Sequence, residues 1–314
     1  MSVSPFNRKI HILGVPLDHG AGRRGVGMGP SAVRIARLHE TLTRIGLELF
    51  DHGDIHISIP ETLAAGDPHA KYLPVVADAC RQLAEHIAAV LAGGGFPLVI
   101  GGDHSIAIGT ISGLALHLRA QIHDPARAPR IGVLWFDAHA DINTPDTSPS
   151  GNIHGMPLAC LLNQGPEILR SIGYSGPKLA PHRVVQIGLR DVDVKERGLL
   201  KDAGVHTYTM ADIDKRGIGT IVDEAVTIAT GDADLLHVSF DIDALDPQLA
   251  PGTGTAIPGG LTYREAHLAL EIVAACGRLR SLELVEVNPI LDDKNRTAEL
   301  AVGLIASALG KTIL

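Results

Sequence analysis

The chain has 314 residues, of which 45% are hydrophobic and 20% charged, so it has enough apolar material for one large globular domain or two ordinary ones. Its 27 Lys and Arg against 35 Asp and Glu give a net charge of −8, so we expect neither nucleic acid nor an anionic membrane as a partner, because both need a basic face. The 3 cysteines without a CxxC pair, and a first segment without a signal-peptide core, predict a cytoplasmic protein that is not secreted.

Eight short runs rich in β-branched residues are predicted as strands, in chain order: 10–14, 47–51, 98–100, 132–136, 183–189, 206–209, 235–240 and 282–287. The amphipathic stretches between them are predicted as helices: 31–45, 74–91, 105–117, 219–229, 263–275 and 296–309. This alternation predicts an α/β fold with a mostly parallel sheet of about eight strands between two layers of helices. No linker, composition shift or internal repeat divides the chain, so residues 1–314 are expected to form a single three-layer domain.

Polar residues directly follow four of the predicted strands, in the segments GGDH (101–104), DAHAD (137–141), DID (241–243) and EVNP (286–289). Ligands of open parallel sheets bind at the carboxyl ends of the strands, so we expect these four segments to meet at one edge. In an extended chain the side chains of Asp137, His139 and Asp141 would share one face.

Four carboxylates and two imidazoles in these segments form a candidate metal site: His104, Asp137, His139, Asp141, Asp241 and Asp243. Aspartates after strands are also ordinary turn formers. That alternative explains two Asp-x-Asp segments and an Asp-His pair poorly, and four clustered carboxylates repel one another without a cation. The absence of a thiolate favours Mn²⁺ over Zn²⁺ or Cu²⁺. Six ligands suit two ions about 3.5–4 Å apart, which would acidify a bridging water to a hydroxide nucleophile.

Seven segments resemble, in the same order, the signature segments of the ureohydrolase family, specifically the arginases: GGDHS (101–105), FDAHADIN (136–143), SGNIHG (150–155), GLRDVD (188–193), SFDIDALDP (239–247), GTGTAIPGGLT (252–262) and VEVNP (285–289). The resemblance extends from about residue 10 to the end of the chain. It implies an arginase-like fold and hydrolysis of L-arginine to L-ornithine and urea by a metal-bridging hydroxide. It also implies two Mn²⁺ per subunit and a homo-oligomer, either a trimer or a hexamer.

The resemblance also implies roles for individual residues. The first ion would be held by His104, Asp137, Asp141 and Asp241, and the second by Asp137, His139, Asp241 and Asp243, so that Asp137 and Asp241 bridge them. His154 matches the proton-shuttling histidine of the family and Glu286 matches a glutamate beside the guanidinium group; with Asp141 they are the predicted catalytic residues.

Substrate contacts are implied in the same way. Asn143, Ser150 and Asn152 match contacts to the substrate α-carboxylate, and Asp193 and Glu196 match contacts near its α-amino group. Thr255 is also predicted to bind substrate. The one departure is Ala256, where the family pattern has proline; it makes that loop less rigid and removes no catalytic group.

The chemistry of the residues agrees with this interpretation. Four aspartates, two divalent ions and a hydroxide leave the site negative, which suits a guanidinium that stays charged at physiological pH. The amine must be protonated to leave, and a histidine with a pKa near 6.5 is a suitable acid. His154 lies in a loop, SGNIHG, that looks mobile enough to reach that position.

Three alternatives remain open from the sequence. An agmatinase or another guanidino-amine hydrolase would share the metal site, but its substrate lacks the α-carboxylate that Asn143, Ser150 and Asn152 would bind. A dinuclear phosphatase would need GNH followed by Asp or Glu, which GNIH (151–154) does not supply. A non-catalytic arginine- or metal-binding regulator should have lost a ligand or the shuttle residue, and neither is lost.

Overall fold

A computed structural model describes residues 9–124 and 127–312 of the chain. Eight strands form its sheet: β1 (Lys9–Val15), β2 (Glu48–Asp54), β3 (Phe96–Gly101), β4 (Ile131–Phe136), β5 (Val184–Leu189), β6 (His206–Thr209), β7 (Leu235–Asp241) and β8 (Leu279–Val285). All pairings between them are parallel, in the order β2-β1-β3-β8-β7-β4-β5-β6. The predicted α/β fold with a parallel sheet of eight strands is therefore confirmed.

Helices cover both faces of this sheet. They are α1 (Gly29–Ile35), α2 (Leu38–Arg44), α3 (Leu73–Ala92), α4 (Ala107–Gln121), α5 (Pro157–Leu161), α6 (Glu167–Arg170), α7 (Val194–Ala203), α8 (Met210–Arg216), α9 (Ile218–Thr230), α10 (Tyr263–Ala275) and α11 (Arg296–Ala308). One apolar core joins α9, α10 and α11 to the sheet, and a second joins α3, α4 and α5 to its other face. None of the helices in the described ranges is long and apolar enough to cross a membrane.

Burial follows strand position. Every residue of the central strands β3, β4 and β7 is buried. The continuous apolar runs of β3 and β4 suit strands covered on both faces, whereas β7 also carries the buried polar residues His237 and Ser239. The edge strands β2 and β6 are mostly exposed and carry polar residues, which protects the two open edges against pairing with other chains.

Three details differ from the sequence-based prediction. The helix expected over 31–45 is interrupted because Arg37 has a left-handed backbone (φ 66°), which separates α1 from α2. The last strand ends at Val285 rather than at residue 287, because Glu286 (φ 65°) turns the chain away from the sheet. The sequence prediction also missed α5, α6, α7 and α8, which are short and have little apolar periodicity.

The strand order explains how distant segments meet. β3 and β4 come earlier in the sequence than β7 and β8, but in the sheet β8 and β7 lie between them. The four central strands β3, β8, β7 and β4 are therefore adjacent, and their carboxyl ends carry the four polar segments. The expectation that these segments share one edge of the sheet is confirmed.

Candidate active site

A pocket of about 130 Å³ opens at this carboxyl edge of the sheet. All of the predicted site residues line it except Asp137, Asp243 and Glu286. Those three are buried behind it and contact lining residues: Asp137 lies against His104, Asp243 against His139, and Glu286 against His154. The structure thus brings together every residue that the sequence assigned to the site.

The first group of candidate ligands surrounds His104. Its Nδ1 lies 3.1 Å from Asp137 Oδ2, 3.0 Å from Asp141 Oδ2 and 3.2 Å from Asp241 Oδ2. His104 Nδ1 and Asp141 Oδ2 are buried, and neither has a partner in hydrogen-bond geometry among the residues that the structure describes. Ligand atoms that converge without bonding one another fit a metal ion, since buried polar atoms otherwise find hydrogen-bond partners.

The second group surrounds His139. Its Nδ1 lies 3.0 Å from Asp243 Oδ2 and 3.5 Å from Asp137 Oδ1. Asp137 therefore presents one carboxylate oxygen to each group, as a bridging ligand must. Asp241 Oδ2 faces His104 in the first group, whereas its Oδ1 accepts the backbone N–H of Asp243 at 2.7 Å and contacts no side chain of the second group, so its bridging role stays a prediction.

The three candidate ligands that follow β4 do not lie on an extended backbone. Asp141 has a left-handed backbone (φ 53°), so the chain bends after His139 and returns Asp141 to His104. The expectation that Asp137, His139 and Asp141 share one face is therefore wrong: Asp141 belongs to the first group and His139 to the second. Such backbone strain is typical of functional sites, where the surrounding structure enforces it.

The protonation of the cluster reflects its crowded negative charge. Burial and the charge of Asp137 raise the pKa of Asp141 to about 7. Burial lowers the pKa of His139, but the carboxylates of Asp243 and Asp137 outweigh it and raise the pKa to about 12. The protein groups on their own therefore attract protons, which a divalent cation would displace on binding.

Glu286 connects the metal groups to His154. Glu286 Oε1 lies 2.9 Å from His154 Nδ1 and accepts the backbone N–H of His104 at 3.0 Å. Burial lowers the pKa of His154, but the Glu286 carboxylate outweighs it and raises the pKa to about 9. The imidazole is thus held in its acid form at neutral pH, well above the ordinary value of about 6.5 assumed from the sequence.

The loop that carries His154 is anchored on both sides. The backbone N–H of His154 donates to Gly20 O at 3.1 Å. Gly151 has a positive φ of 68°, and a Cβ there would lie 1.9 Å from Pro68 O, so only glycine fits this close approach. The structure therefore places His154 at the pocket without the loop movement that the sequence suggested.

Polar residues on loops form the rim of the pocket. Asn143 Nδ2 donates to Asp193 Oδ2 at 3.2 Å, and Asn152 Oδ1 accepts from Lys71 Nζ at 3.2 Å. The Ser150 hydroxyl is exposed beside them and accepts the N–H of Asn152. The three predicted α-carboxylate contacts thus all line the pocket, and Ser150 and Asn152 contact each other directly.

Two predicted substrate contacts also hold other parts of the site. The buried Glu196 carboxylate accepts the N–H of Ile142 at 3.0 Å and that of Asp193 at 3.3 Å, which joins α7 to the loop after Asp141. Burial outweighs these bonds and raises the pKa of Glu196 to about 7. Thr255 Oγ1 donates to Asp243 Oδ2 at 2.8 Å and so orients a candidate metal ligand.

Sequence reasoning missed several contributors. Trp135 Nε1–H donates to Asp137 Oδ2 at 3.0 Å, and its ring stacks on His104 with centroids 4.5 Å apart. Asp191 lines the pocket, with Oδ2 4.0 Å from His139 Nε2. The single Trp, two residues before Asp137 on the same face of β4, was an available signal. The Asp193-x-x-Glu196 capping box likewise predicts the start of α7.

Comparison with known proteins assigns the chain to a family. The profile of the Arginase family matches residues 8–310. The chain is 47% identical to an arginase of Brevibacillus brevis over 309 residues, covering 98% of this chain and 100% of the relative. It superposes on the native arginase structure from Bacillus caldovelox with a TM-score of 0.91 and 46% identity, over 98% of this chain and 100% of that one. An Entamoeba histolytica arginase solved in complex with L-ornithine is 31% identical, with a TM-score of 0.86 and coverage of 97% and 99%. The chain belongs to the arginase family.

Proposed function

We propose that this chain hydrolyses L-arginine to L-ornithine and urea with two Mn²⁺ ions per subunit. The observation that carries the proposal is that one pocket combines the two His/Asp groups with a rim of amide and hydroxyl groups, in a member of the arginase family. The two His/Asp groups suit a dinuclear hydrolase, and the polar rim suits an amino-acid substrate.

The residues present fit two hard divalent ions. His104, Asp141 and Asp241 would hold one ion, His139 and Asp243 the other, and Asp137 both. We propose that Asp241 also bridges. A set with four carboxylates, two imidazoles and no thiolate supports Mn²⁺ over softer metals. When bound, the ions lower the pKa of a water and so supply the nucleophile for the guanidinium carbon.

The chain's own residues then bind the guanidinium and deliver a proton. Glu286 and the aspartates give the inner pocket negative charge, which attracts the planar cation of the substrate. His154, protonated and hydrogen-bonded through Nδ1 to Glu286, has Nε2–H left to protonate the leaving amine. The raised pKa of His154, about 9, keeps this acid loaded at neutral pH.

The rim supports arginine over agmatine as the substrate. We propose that Asn143, Ser150 and Asn152 bind the α-carboxylate, that Asp193 binds the α-ammonium group and that Thr255 contacts the substrate beside Asp243. The Glu196 carboxylate already accepts two backbone N–H groups, one of them from Asp193. We therefore propose that Glu196 acts near the α-amino group chiefly by holding Asp193 in place.

We further propose that residues 1–314 form one catalytic domain that assembles as a cytoplasmic homo-oligomer, a trimer or a hexamer. Exposed apolar side chains support assembly: Ile35 is 76% exposed, Val194 83% and Ile290 62%. The cysteines Cys80 and Cys160 are buried and unpaired, which suits a reducing compartment. Light scattering on the purified protein measures the subunit number.

The proposed activity is tested by product analysis. The Mn²⁺-loaded protein should release equal amounts of urea and ornithine from L-arginine, and exhaustive chelation should abolish both. The matched control is Asp223→Asn, an exposed aspartate on α9 away from the pocket, which should keep full activity. Release of neither product by protein that retains two metal ions would overturn the proposal.

A further inference from the structure

A row of buried polar residues lies beneath the first metal group, inside the sheet. His237 and Ser239 lie on β7 and Glu283 on β8, and each is fully buried. Ser239 and Glu283 are direct neighbours in the register of the two strands, and His237 lies on the same face as Ser239 two residues earlier. None of the three lines the pocket, so substrate does not reach them.

The row connects to the metal group through the second nitrogen of His104. His104 Nε2 lies 2.8 Å from Ser239 Oγ, whose hydroxyl donates to Glu283 Oε1 at 2.7 Å. His237 Nε2 lies 3.3 Å from the same Glu283 oxygen. One continuous chain of hydrogen bonds therefore runs from Glu283 to the imidazole whose Nδ1 faces Asp137, Asp141 and Asp241.

The direction of this chain follows from hydrogen-bond chemistry. A carboxylate only accepts, and a hydroxyl has a single hydrogen. Because Ser239 gives its hydrogen to Glu283, its oxygen can only accept from His104, so Nε2 of His104 must carry a hydrogen. A neutral His104 then has its lone pair on Nδ1, the atom that must be free to bind a metal ion.

We propose that Glu283, acting through Ser239, is a positioning residue that fixes the imidazole of His104 with Nε2 protonated and Nδ1 free for the first ion. The inference rests on the metal site of the proposed function and adds a residue that no part of that mechanism uses. A fully buried carboxylate is costly to fold and is easily replaced by an apolar residue where it serves only packing. Partners of this kind tune metal ligands by setting their tautomer and orientation.

Glu283→Gln tests the direction of this hydrogen-bond chain because it keeps the shape of the side chain and replaces a carboxylate, which only accepts, with an amide that can also donate. Its amide N–H₂ can donate to Ser239, whose hydroxyl can then donate to His104 Nε2 and shift the imidazole proton to Nδ1. We expect the affinity of the first Mn²⁺ to fall by about 10- to 100-fold, the range found for such supporting partners. The affinity of the second ion, on the His139 side, should change much less.

The readout is Mn²⁺ binding without substrate: stoichiometry and stepwise affinity, measured by titration against a competing chelator. The matched control is Ser281→Ala, on the same strand and two residues from Glu283. It removes a buried hydroxyl that has no hydrogen-bond partner within the described part of the chain. It should bind both ions as the wild type does. Two tightly bound ions in Glu283→Gln, or equal weakening of both, would overturn the proposal.

A double-mutant cycle tests whether Glu283 acts through Ser239. Ser239→Ala should weaken the first ion, Ser239→Thr should restore its binding because the hydroxyl is kept, and Glu283→Gln should add little to Ser239→Ala. Additive losses would show that Glu283 acts by another route and would contradict the proposal.

If Glu283→Gln does not fold, the Ala and Thr variants at position 239 still test the proposal. Equal Mn²⁺ affinities in these two variants would refute the hydrogen-bond chain through Ser239. A protein that binds two ions as expected and yet does not hydrolyse arginine would refute the proposed function alone.

Discussion

The metal-binding base of the pocket and its polar rim are built in different ways. The base consists of His104, Asp137 and Asp241 and their neighbours at the ends of adjacent buried strands, and His104 and Asp137 are each only 1% exposed. The rim consists of loop residues such as Ser150, which accepts the N–H of Asn152 in its own loop, and Asn152, whose side chain accepts from Lys71 of another loop. The difference implies that changes in the base disable the chemistry as a unit, whereas changes in the rim adjust the choice of substrate.

The largest effect is expected from the bridging carboxylate. Asp137→Asn should lose both ions because the two Asp137 oxygens face different groups, whereas Asp141→Asn should lose one. Several kcal/mol of transition-state stabilisation depend on the ions, so kcat should fall roughly a thousandfold or more, since 1.4 kcal/mol is tenfold. Metal analysis of the purified variants measures the difference, and Asp241→Asn should behave like Asp137→Asn. Equal metal content in Asp137→Asn and Asp141→Asn would refute the bridge.

His154 lies between the base and the rim, and its replacement should cause the next largest loss of activity. His154→Gln should lower kcat by about 10²- to 10⁴-fold, the usual contribution of a general acid, with metal content unchanged. His182→Gln, at an exposed histidine two residues before the start of β5 and outside the pocket, is the matched control and should be neutral. An active His154→Gln variant would exclude this residue as the acid.

The raised pKa of His154 also predicts a pH dependence of stability. Its pKa rises from about 6.5 in the unfolded chain to about 9 in the folded one, so the stabilisation is complete below pH 6.5 and is lost as the pH rises through 9. The difference in free energy of unfolding between wild type and His154→Gln should therefore shrink across this range. Urea denaturation at several pH values, with chelator present throughout, measures it; a constant difference would contradict the assignment.

Removing the metal ions should lower the stability of the folded protein. Ions that bind only the folded state add about 2.7 kcal/mol at 100 times their Kd. Chelation should therefore lower Tm by about 4 °C for each ion lost from a chain of this size, because the buried aspartates then repel one another. Calorimetry with and without excess Mn²⁺ checks this, and an unchanged Tm would contradict a metal-stabilised base.

The smallest effect is expected in the rim. Asn152→Ala should raise KM for L-arginine by roughly tenfold, through one lost hydrogen bond to a charged group, while the weak activity on agmatine stays nearly unchanged. Lys71 would lose its contact with Asn152, so some of the loss can come from a looser loop. Gln164→Ala, an exposed amide outside the pocket, is the control. A fall in kcat with KM unchanged would place Asn152 in the chemistry rather than in recognition.

The same contrast separates what could be predicted from the sequence from what could not. The eight strands and the ligands that follow them could be predicted, because continuous apolar runs and polar residues at strand ends are local patterns. The division of Asp137, His139 and Asp141 between two groups followed from the resemblance to the arginases but not from the local pattern, since it depends on the left-handed backbone of Asp141. Nor could the contacts of Ser239 with Glu283 and of Lys71 with Asn152, which join residues far apart in the chain.

The most direct test of this division is the ratio of kcat/KM for L-arginine to that for agmatine. A rim of polar groups rejects a substrate without the matching carboxylate by about 1–3 kcal/mol for each unpaired group. Two such losses reach roughly a hundredfold. We predict at least this ratio for the wild type and a clear reduction in Asn152→Ala. A wild type that hydrolyses agmatine as efficiently as arginine would contradict the assignment of recognition to the rim and of arginine as the substrate.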